Sequence, residues 1–193
     1  MDCNKVGALI AGLRREKGLT QKQLGDAMNI SDKTVSKWER GLGCPDVSLL
    51  RELSAVLGVD VEKLLEGALA PNRADSGNLS RVKFYVCPTC GAVVFASGGA
   101  AVSCCGRKLQ PLRAEKAEGE HRPSIEQVDE ELYVTFSHEM SKKHYLSFAA
   151  WVTGERVYLV KLYPEQDPVF RLPRMRYGKL YFYCTNHGLF VGE

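Results

Sequence analysis

The four histidines of this 193-residue chain, His121, His138, His144 and His187, all fall in its C-terminal part, and Cys184 stands three residues before the last of them. Imidazole nitrogens and a thiolate suit iron, zinc or copper, whereas calcium and magnesium take oxygen ligands. Cys184 and His187, in Cys184-Thr-Asn-His187, are close enough to share one ion from a single loop. His138 and His144 are six apart, which fits a loop folding back on itself better than one helix face. Five protein ligands exceed an ordinary tetrahedral zinc set and leave one position of an octahedral ion open for a ligand or substrate. A second set of soft ligands comes earlier: Cys87-x-x-Cys90 and, fourteen positions after Cys90, the adjacent pair Cys104-Cys105. Four thiolates from two turns make a tetrahedral site for iron or zinc. Electron transfer and a purely structural role both suit it, since about thirty residues carry too little core to fold unaided.

The elements that must position these ligands are legible as periodicities. Residues 132–136, 148–152, 158–162, 169–172 and 180–184 read as strands, separated by turn signals at Gly154-Glu155, at Pro164 and Pro168, and at Tyr177-Gly178. Several short strands at this spacing predict an antiparallel β-sandwich with the ligands at strand ends and loops. Residues 83–112 are expected as a small treble of strands around the four cysteines.

The first 67 residues carry helical periods instead. Val6, Leu9, Ile10 and Leu13 form one apolar face that stops at Gly18; Thr20-x-x-Gln23 is a capping box for a second helix facing Leu24, Ala27 and Met28 inward. Ser31 caps a third helix, with Val35 and Trp38 buried, ending near Gly41. Leu49, Leu50, Leu53, Val56 and Leu57 make a fourth, and Asp60 caps a short fifth through Leu64 and Leu65. Helices two and three, joined at Asn29-Ile30-Ser31, have the size and turn of a helix-turn-helix. Residues 68–81, rich in Pro, Gly, Asn and Ser, show neither period and read as a flexible linker. The expected organisation is therefore a multidomain α + β chain: 1–67 helical, 68–81 linker, 82–112 four-cysteine ribbon, 113–193 metal-binding sandwich.

Composition narrows the setting. With a net charge of +3, nucleic-acid binding does not follow from charge alone, but residues 14–40 hold seven basic residues against four acidic, while residues 1–67 balance at ten each. No apolar run approaches the ~20 residues of a membrane span, and Met1-Asp-Cys-Asn-Lys5 does not open a signal peptide. A cytoplasmic location is expected, where seven cysteines argue for metals or redox chemistry over a disulfide framework. Cys3 and Cys44 are taken as ordinary small residues of the helical part.

Two resemblances sharpen these expectations. Val86-Cys-Pro-Thr-Cys-Gly91, Ser103-Cys-Cys-Gly106, Glu120-His-Arg-Pro-Ser-Ile-Glu126, Ser137-His-Glu-Met140, Lys143-His-Tyr145 and Tyr183-Cys-Thr-Asn-His-Gly188 resemble, in order and similar spacing, desulfoferrodoxin, the two-iron form of superoxide reductase. The resemblance implies an immunoglobulin-like sandwich. It also implies iron held by His121, His138, His144 and His187 with Cys184 axial, and an open sixth position where superoxide is reduced to hydrogen peroxide. The axial thiolate would donate electron density to the iron. The chain departs from that family where a Glu-Lys pair usually precedes the first histidine: here stand Gly119 and Glu120, and an anionic side chain there repels superoxide. The usual His-Pro-Met is His138-Glu-Met.

Leu19-Thr-Gln-Lys-Gln-Leu24 through Ile30-Ser-Asp-Lys-Thr-Val-Ser-Lys-Trp-Glu-Arg-Gly41, with Pro45-Asp46 and Leu49-Leu50, resembles the Xre and lambda-repressor family of DNA-binding domains. That resemblance implies that the third helix enters the major groove of double-stranded DNA with Asp32, Lys33 and Lys37 at base edges. Gln21, Thr34 and Arg40 would meet phosphates, and a homodimer would bind a palindromic operator.

Three functions are carried forward. The first is a transcriptional regulator whose iron centre senses superoxide or another small oxidant. The second is a working superoxide reductase with a DNA-binding domain attached. In the third, zinc fills both sites and the C-terminal half is a dimerisation platform. A helical unit that has become a protein-interaction module stands beside them.

Overall fold

The computed structural model describes residues 1–75 and 77–192; Ser76 of the expected linker and Glu193 at the end of the expected sandwich lie outside that set. The chain divides into two compact units, Met1–Pro71 and Asn72–Glu193.

The first unit holds five helices: α1 (Cys3–Glu16), α2 (Gln21–Ala27), α3 (Asp32–Glu39), α4 (Leu50–Leu57) and α5 (Val61–Glu66). Their starts follow from side-chain caps. Thr20 and Gln23 close the expected box, with Gln23 N donating to Thr20 Oγ1 at 3.1 Å and Thr20 N to Gln23 Oε1 at 2.8 Å. Ser31 accepts from Thr34 N at 3.1 Å, and Asp2, unforeseen, caps α1 by accepting from Asn4 N. Asp60 occupies the N-cap of α5 but its carboxylate makes no capping bond. The core is Val6, Ile10, Leu13, Leu24, Met28, Val35, Trp38, Leu53, Leu57 and Leu64. One expected inward residue differs, Ala27, which is exposed at the end of α2; in the short α5, Leu64 is buried and Leu65 is 40% exposed. Cys3 and Cys44 are not ordinary small residues; they are joined as a disulfide, a pairing with no local sequence signature because 41 positions separate them.

In the second unit the ribbon and the sandwich share a core. The ribbon has two hairpins, β1 (Lys83–Val86) with β2 (Val93–Ala96) and β3 (Val102–Cys104) with β4 (Arg107–Leu109), instead of a treble. The sandwich strands are β5 (Ala114–Lys116), β6 (Pro123–Val128), β7 (Glu131–Phe136), β8 (Leu146–Val152), β9 (Val157–Lys161), β10 (Val169–Pro173), β11 (Lys179–Cys184) and β12 (Gly188–Gly192). They form a three-stranded sheet, β10-β7-β6, and a five-stranded sheet, β5-β12-β11-β8-β9. Among the described residues the pairings are antiparallel except β5 with β12, a parallel contact in an architecture expected to be antiparallel.

Every residue of β8 is buried, and the reason is that its sheet is covered on both faces. Ala149 and Trp151 pack with Val134, Phe136, Phe170 and Leu172 of the smaller sheet. Phe148, Ala150 and Val152 pack with Phe84 of the ribbon, ring centroids of Phe84 and Phe148 lying 5.5 Å apart. The stretch 68–81 expected as linker is largely exposed but tied to the second unit at two points: Leu79 N donates to Gly154 O at 2.9 Å, and Asp75 accepts from the Ser97 hydroxyl. The turn residues that suggested flexibility serve instead as local caps, Asn78 Oδ1 accepting from Ser80 N at 2.9 Å.

Candidate metal centres and DNA-facing helix

Three separate places on the sandwich deliver the histidines and Cys184. His121 ends a short 3-10 turn before β6, His138 and His144 lie in the loop between β7 and β8, and Cys184 and His187 flank the tight turn joining β11 to β12. Ring centroids run 4.9 Å from His121 to His138, 4.6 Å to His144, 4.9 Å to His187 and 5.0 Å back to His121, so the imidazoles close a four-membered ring. One donor atom from each histidine and the Cys184 sulfur lie within 4.8 Å of one another. His187 turns Nδ1 inward, 3.2 Å from His121 Nε2 and 3.5 Å from Cys184 Sγ.

The tautomers of two rings are set by one residue. The Glu139 backbone carbonyl sits against His138 Nδ1, and its carboxylate is 2.9 Å from His144 Nδ1. A carbonyl oxygen only accepts, so each Nδ1 carries the proton and each Nε2 keeps its lone pair. Those two Nε2 atoms are buried and have no hydrogen-bond partner. Orphaned buried nitrogens at the centre of a cluster are what metal ligands look like without their ion. Burial is the main cause that lowers the pKa of His121 and His138, with neighbouring imidazoles adding to it, which keeps both rings in the neutral, ligating form. Glu139 is held below the ordinary carboxylate range, first by the Ser141 hydroxyl and then by His144. Phe190 stacks on His121 at 4.2 Å and fixes its plane.

The cluster has two unlike sides. Cys184 is fully excluded from solvent, in the core with Phe182 and Leu146. Burial pushes its thiol up, against backbone amides of Asn186 and His187 that favour the thiolate. On the other hand His187 and Glu120 are exposed, with the Glu120 carboxylate 4.0 Å from His187 Nδ1.

The second cluster also assembles as expected: Cys87, Cys90, Cys104 and Cys105 bring their sulfurs within 4.8 Å, Cys90 and Cys104 to 3.5 Å. Backbone amides of Cys90 and Thr89 lower the Cys87 thiol to about 6, while hydrogen bonding with Cys90 and Cys87 pushes Cys104 up to about 12. Sulfurs this crowded share protons unless a cation takes their place. Cys105 adopts φ 50, the left-handed turn that lets two adjacent cysteines point at one centre.

On the helical unit, Asp32, Lys33, Lys37 and Arg40 are exposed along α3 and its exit. Thr34 is half-buried and bonded to the Ser31 hydroxyl at 2.9 Å. The Gln21 carboxamide, expected at a phosphate, donates instead to Glu39 Oε2 at 2.8 Å. Sequence reasoning missed Glu39 and Arg14, a buried pair at 2.5 Å that ties α3 to α1, and it missed the double anchoring by Glu139. The available signal for Glu139 was a carboxylate directly after one candidate ligand and five before another.

Comparison with known proteins divides the chain at the same place. A helix-turn-helix family model matches residues 10–64. Within the first 71 or so residues the chain is 37% identical over 71 residues to the HTH-type transcriptional activator BcrR of Enterococcus faecalis, spanning only 35% of that protein's length. It is 44% identical over 66 residues to the HTH-type transcriptional regulator y4dJ of Sinorhizobium fredii, covering 34% of this chain and 86% of the relative. By its first unit, then, the chain belongs to the helix-turn-helix family. The remainder is 26% identical over 120 residues to desulfoferrodoxin of Clostridium acetobutylicum, covering 58% of this chain and 96% of that protein. The superoxide reductase of Treponema pallidum has the same fold over 58% of this chain and 97% of its own, with a TM-score of 0.51 at 20% identity. Among the described residues no helix is long and apolar enough to cross a membrane.

Proposed function

We propose that the protein is a DNA-binding transcriptional regulator whose second unit holds iron and senses superoxide or a related small oxidant. The observation that carries this reading is the closed ring of four imidazoles with the solvent-excluded Cys184 sulfur on one side and the Glu120 carboxylate at the exposed side. Nitrogen and thiolate donors in this number suit iron, and similarity to desulfoferrodoxin supports the same metal. When bound, iron would supply one-electron exchange with superoxide. The chain's own part is to keep His121 and His138 neutral by burial, to orient His138 and His144 through Glu139, to keep water from Cys184, and to leave one approach from solvent.

Glu120 separates sensing from turnover. Where superoxide reductases usually carry a lysine, its carboxylate opposes an incoming anion and offers no proton-bearing cation. This disfavours the alternative, an active superoxide reductase. The four-cysteine cluster is assigned iron or zinc, with a structural role beside any electron transfer. In the first unit, Lys33, Lys37 and Asp32 are assigned to base edges in the major groove and Thr34 and Arg40 to phosphates, with Gln21 at the start of α2. A homodimer on a palindromic operator in the cytoplasm completes the reading.

The test is metal content and the visible spectrum of protein purified without oxygen, before and after superoxide, with DNA binding measured in each state. Iron at the histidine site, an oxidant-dependent thiolate-to-iron band and a matching change in DNA affinity are expected. Zinc alone, with no spectral response after iron reconstitution, would overturn the sensor.

A further inference from the structure

We propose that Cys3 and Cys44 form a reversible dithiol/disulfide pair that braces the recognition helix, giving the DNA-binding unit a two-electron redox response of its own. The inference rests on the DNA-binding reading of the first unit but not on the metal reading of the second.

Cys3 opens α1, and Cys44 lies in the loop leaving α3, four residues beyond Arg40. Their Cα atoms are 5.0 Å apart and the sulfurs are bonded. Both residues are half-exposed, so oxidants and reductants reach them. They are the only cysteines of residues 1–71, and neither belongs to a metal cluster. A bond between them therefore has no competing partner within its unit.

The loop it fastens is fitted to both α1 and α3. Gly41 sits at φ 71, where a Cβ would overlap the Asn4 side chain at the start of α1. Gly41 N and Leu42 N return to Trp38 O at 2.9 Å and Lys37 O at 3.0 Å, closing the end of α3. A Cβ at Gly43 would lie 3.3 Å from the Lys37 Cε, so the loop also backs the stem of a base-facing lysine. Val35, Trp38 and the Arg14 to Glu39 pair keep α3 seated without the bond. What the bond adds is a covalent hold on the segment behind Lys37 and Arg40.

The chemistry balances with a hydroperoxide as oxidant. One thiolate takes oxygen to become a sulfenic acid, releasing hydroxide or alkoxide. The second thiol attacks that sulfur, forming the S–S bond and expelling water. Two electrons and two protons leave the pair, and a small dithiol returns them. Superoxide at the iron centre is a one-electron event, so the two elements would register different oxidants.

The experiment uses the full-length, metal-loaded protein with Cys3→Ser and Cys44→Ser variants, held in reducing buffer and after mild peroxide. Alkylation and mass spectrometry count the thiols. Anisotropy reads affinity for a duplex enriched from a random pool by the oxidised protein, and a melt follows the helical unit. Oxidised wild type is expected to bind about five-fold tighter than reduced, and to melt roughly 10 °C higher. Both variants should match the reduced protein in either buffer. Free thiols at both positions after peroxide overturn the proposal. So does a bond that forms while affinity changes by less than about two-fold, since that marks a structural staple. If the bond forms but no duplex is enriched, the DNA-binding reading fails and takes this inference with it. A metal site that proves silent leaves the result intact.

Discussion

In the helical unit, Arg14 and Glu39 are almost excluded from solvent, with side-chain exposures of 10% and 6%, and each is fully answered. Arg14 reaches both Glu39 oxygens at 2.5 and 3.0 Å and the Leu19 carbonyl at 2.6 Å, and Gln21 supplies a third donor to the carboxylate. In the β unit, His121, His138 and Cys184 are equally buried, yet the inward nitrogens of His138 and His144 have no partner. A buried polar cluster complete in itself is a fastening. One that is complete on its outer side and open at its centre is a site. Glu139 satisfies the outward Nδ1 atoms of two rings and leaves the inward ones for a ligand.

Removing one member should therefore cost stability in the first cluster and binding in the second. Glu39→Ala strands the Arg14 charge and is expected to destabilise the helical unit by about 3 kcal/mol, read as a lower urea midpoint. Burial alone would raise the Glu39 pKa, but hydrogen bonds from Arg14 and Gln21 outweigh it and hold the folded value below the ordinary 4.5. A lowered folded pKa contributes stability that is present above the unfolded value and lost as pH falls through the folded one. Wild type should thus lose helical-unit stability below about pH 4.5 more steeply than Glu39→Gln; equal acid slopes would show that the pair is not the fastening it looks like.

His144→Ala should do the opposite, abolishing the thiolate-to-iron band while leaving the melt of the metal-free sandwich within a few degrees, about what a half-buried loop residue costs. Retention of the same metal content and spectrum would refute the ligand set. Glu139→Gln is the finer probe. The amide can still accept from His144 Nδ1 but carries no charge to hold its tautomer, and a 10- to 100-fold weaker metal affinity is expected, with a shifted band position. Unchanged affinity and band would reduce Glu139 to a loop residue.

The same contrast governs what the sequence disclosed. The clustering of His121, His138, His144, Cys184 and His187 was legible because the chain's four histidines all fall in its C-terminal part and Cys184 stands three residues from the last of them. Helix starts were legible where the cap is local, at Thr20, Ser31 and Asp60, although at Asp60 the position is taken without the capping bond. What stayed hidden is nonlocal: the Arg14 to Glu39 pair across 25 positions and the Cys3 to Cys44 bond across 41. Short strands β5, β6 and β12 carried weak or interrupted alternation, and β5 pairs in parallel through a partner 75 positions away, Leu189 with Ala114. Within 68–81 the Asn, Ser and Gly residues are turn formers whether the turn is free or, as at Asn78, closed by a local hydrogen bond, so the sequence alone does not separate the two.

The smallest effect expected is at the open side of the site. Glu120→Lys replaces an anion with a cation beside the approach, near the His187 nitrogen that its carboxylate now faces at 4.0 Å. For a singly charged oxidant passing about 5 Å away in water, and with screening at physiological salt, the swap is worth roughly a five-fold increase in bimolecular superoxide consumption. Its signature is the dependence on ionic strength. Added salt should speed the wild-type reaction by screening repulsion and slow the Lys variant by screening attraction, so the two rates converge near 1 M, where the screening length is about 3 Å. Rates that rise in the variant but ignore salt would mean that lysine acts by delivering a proton. Rates that do not rise at all would show that Glu120 is not what separates this centre from a turning-over reductase.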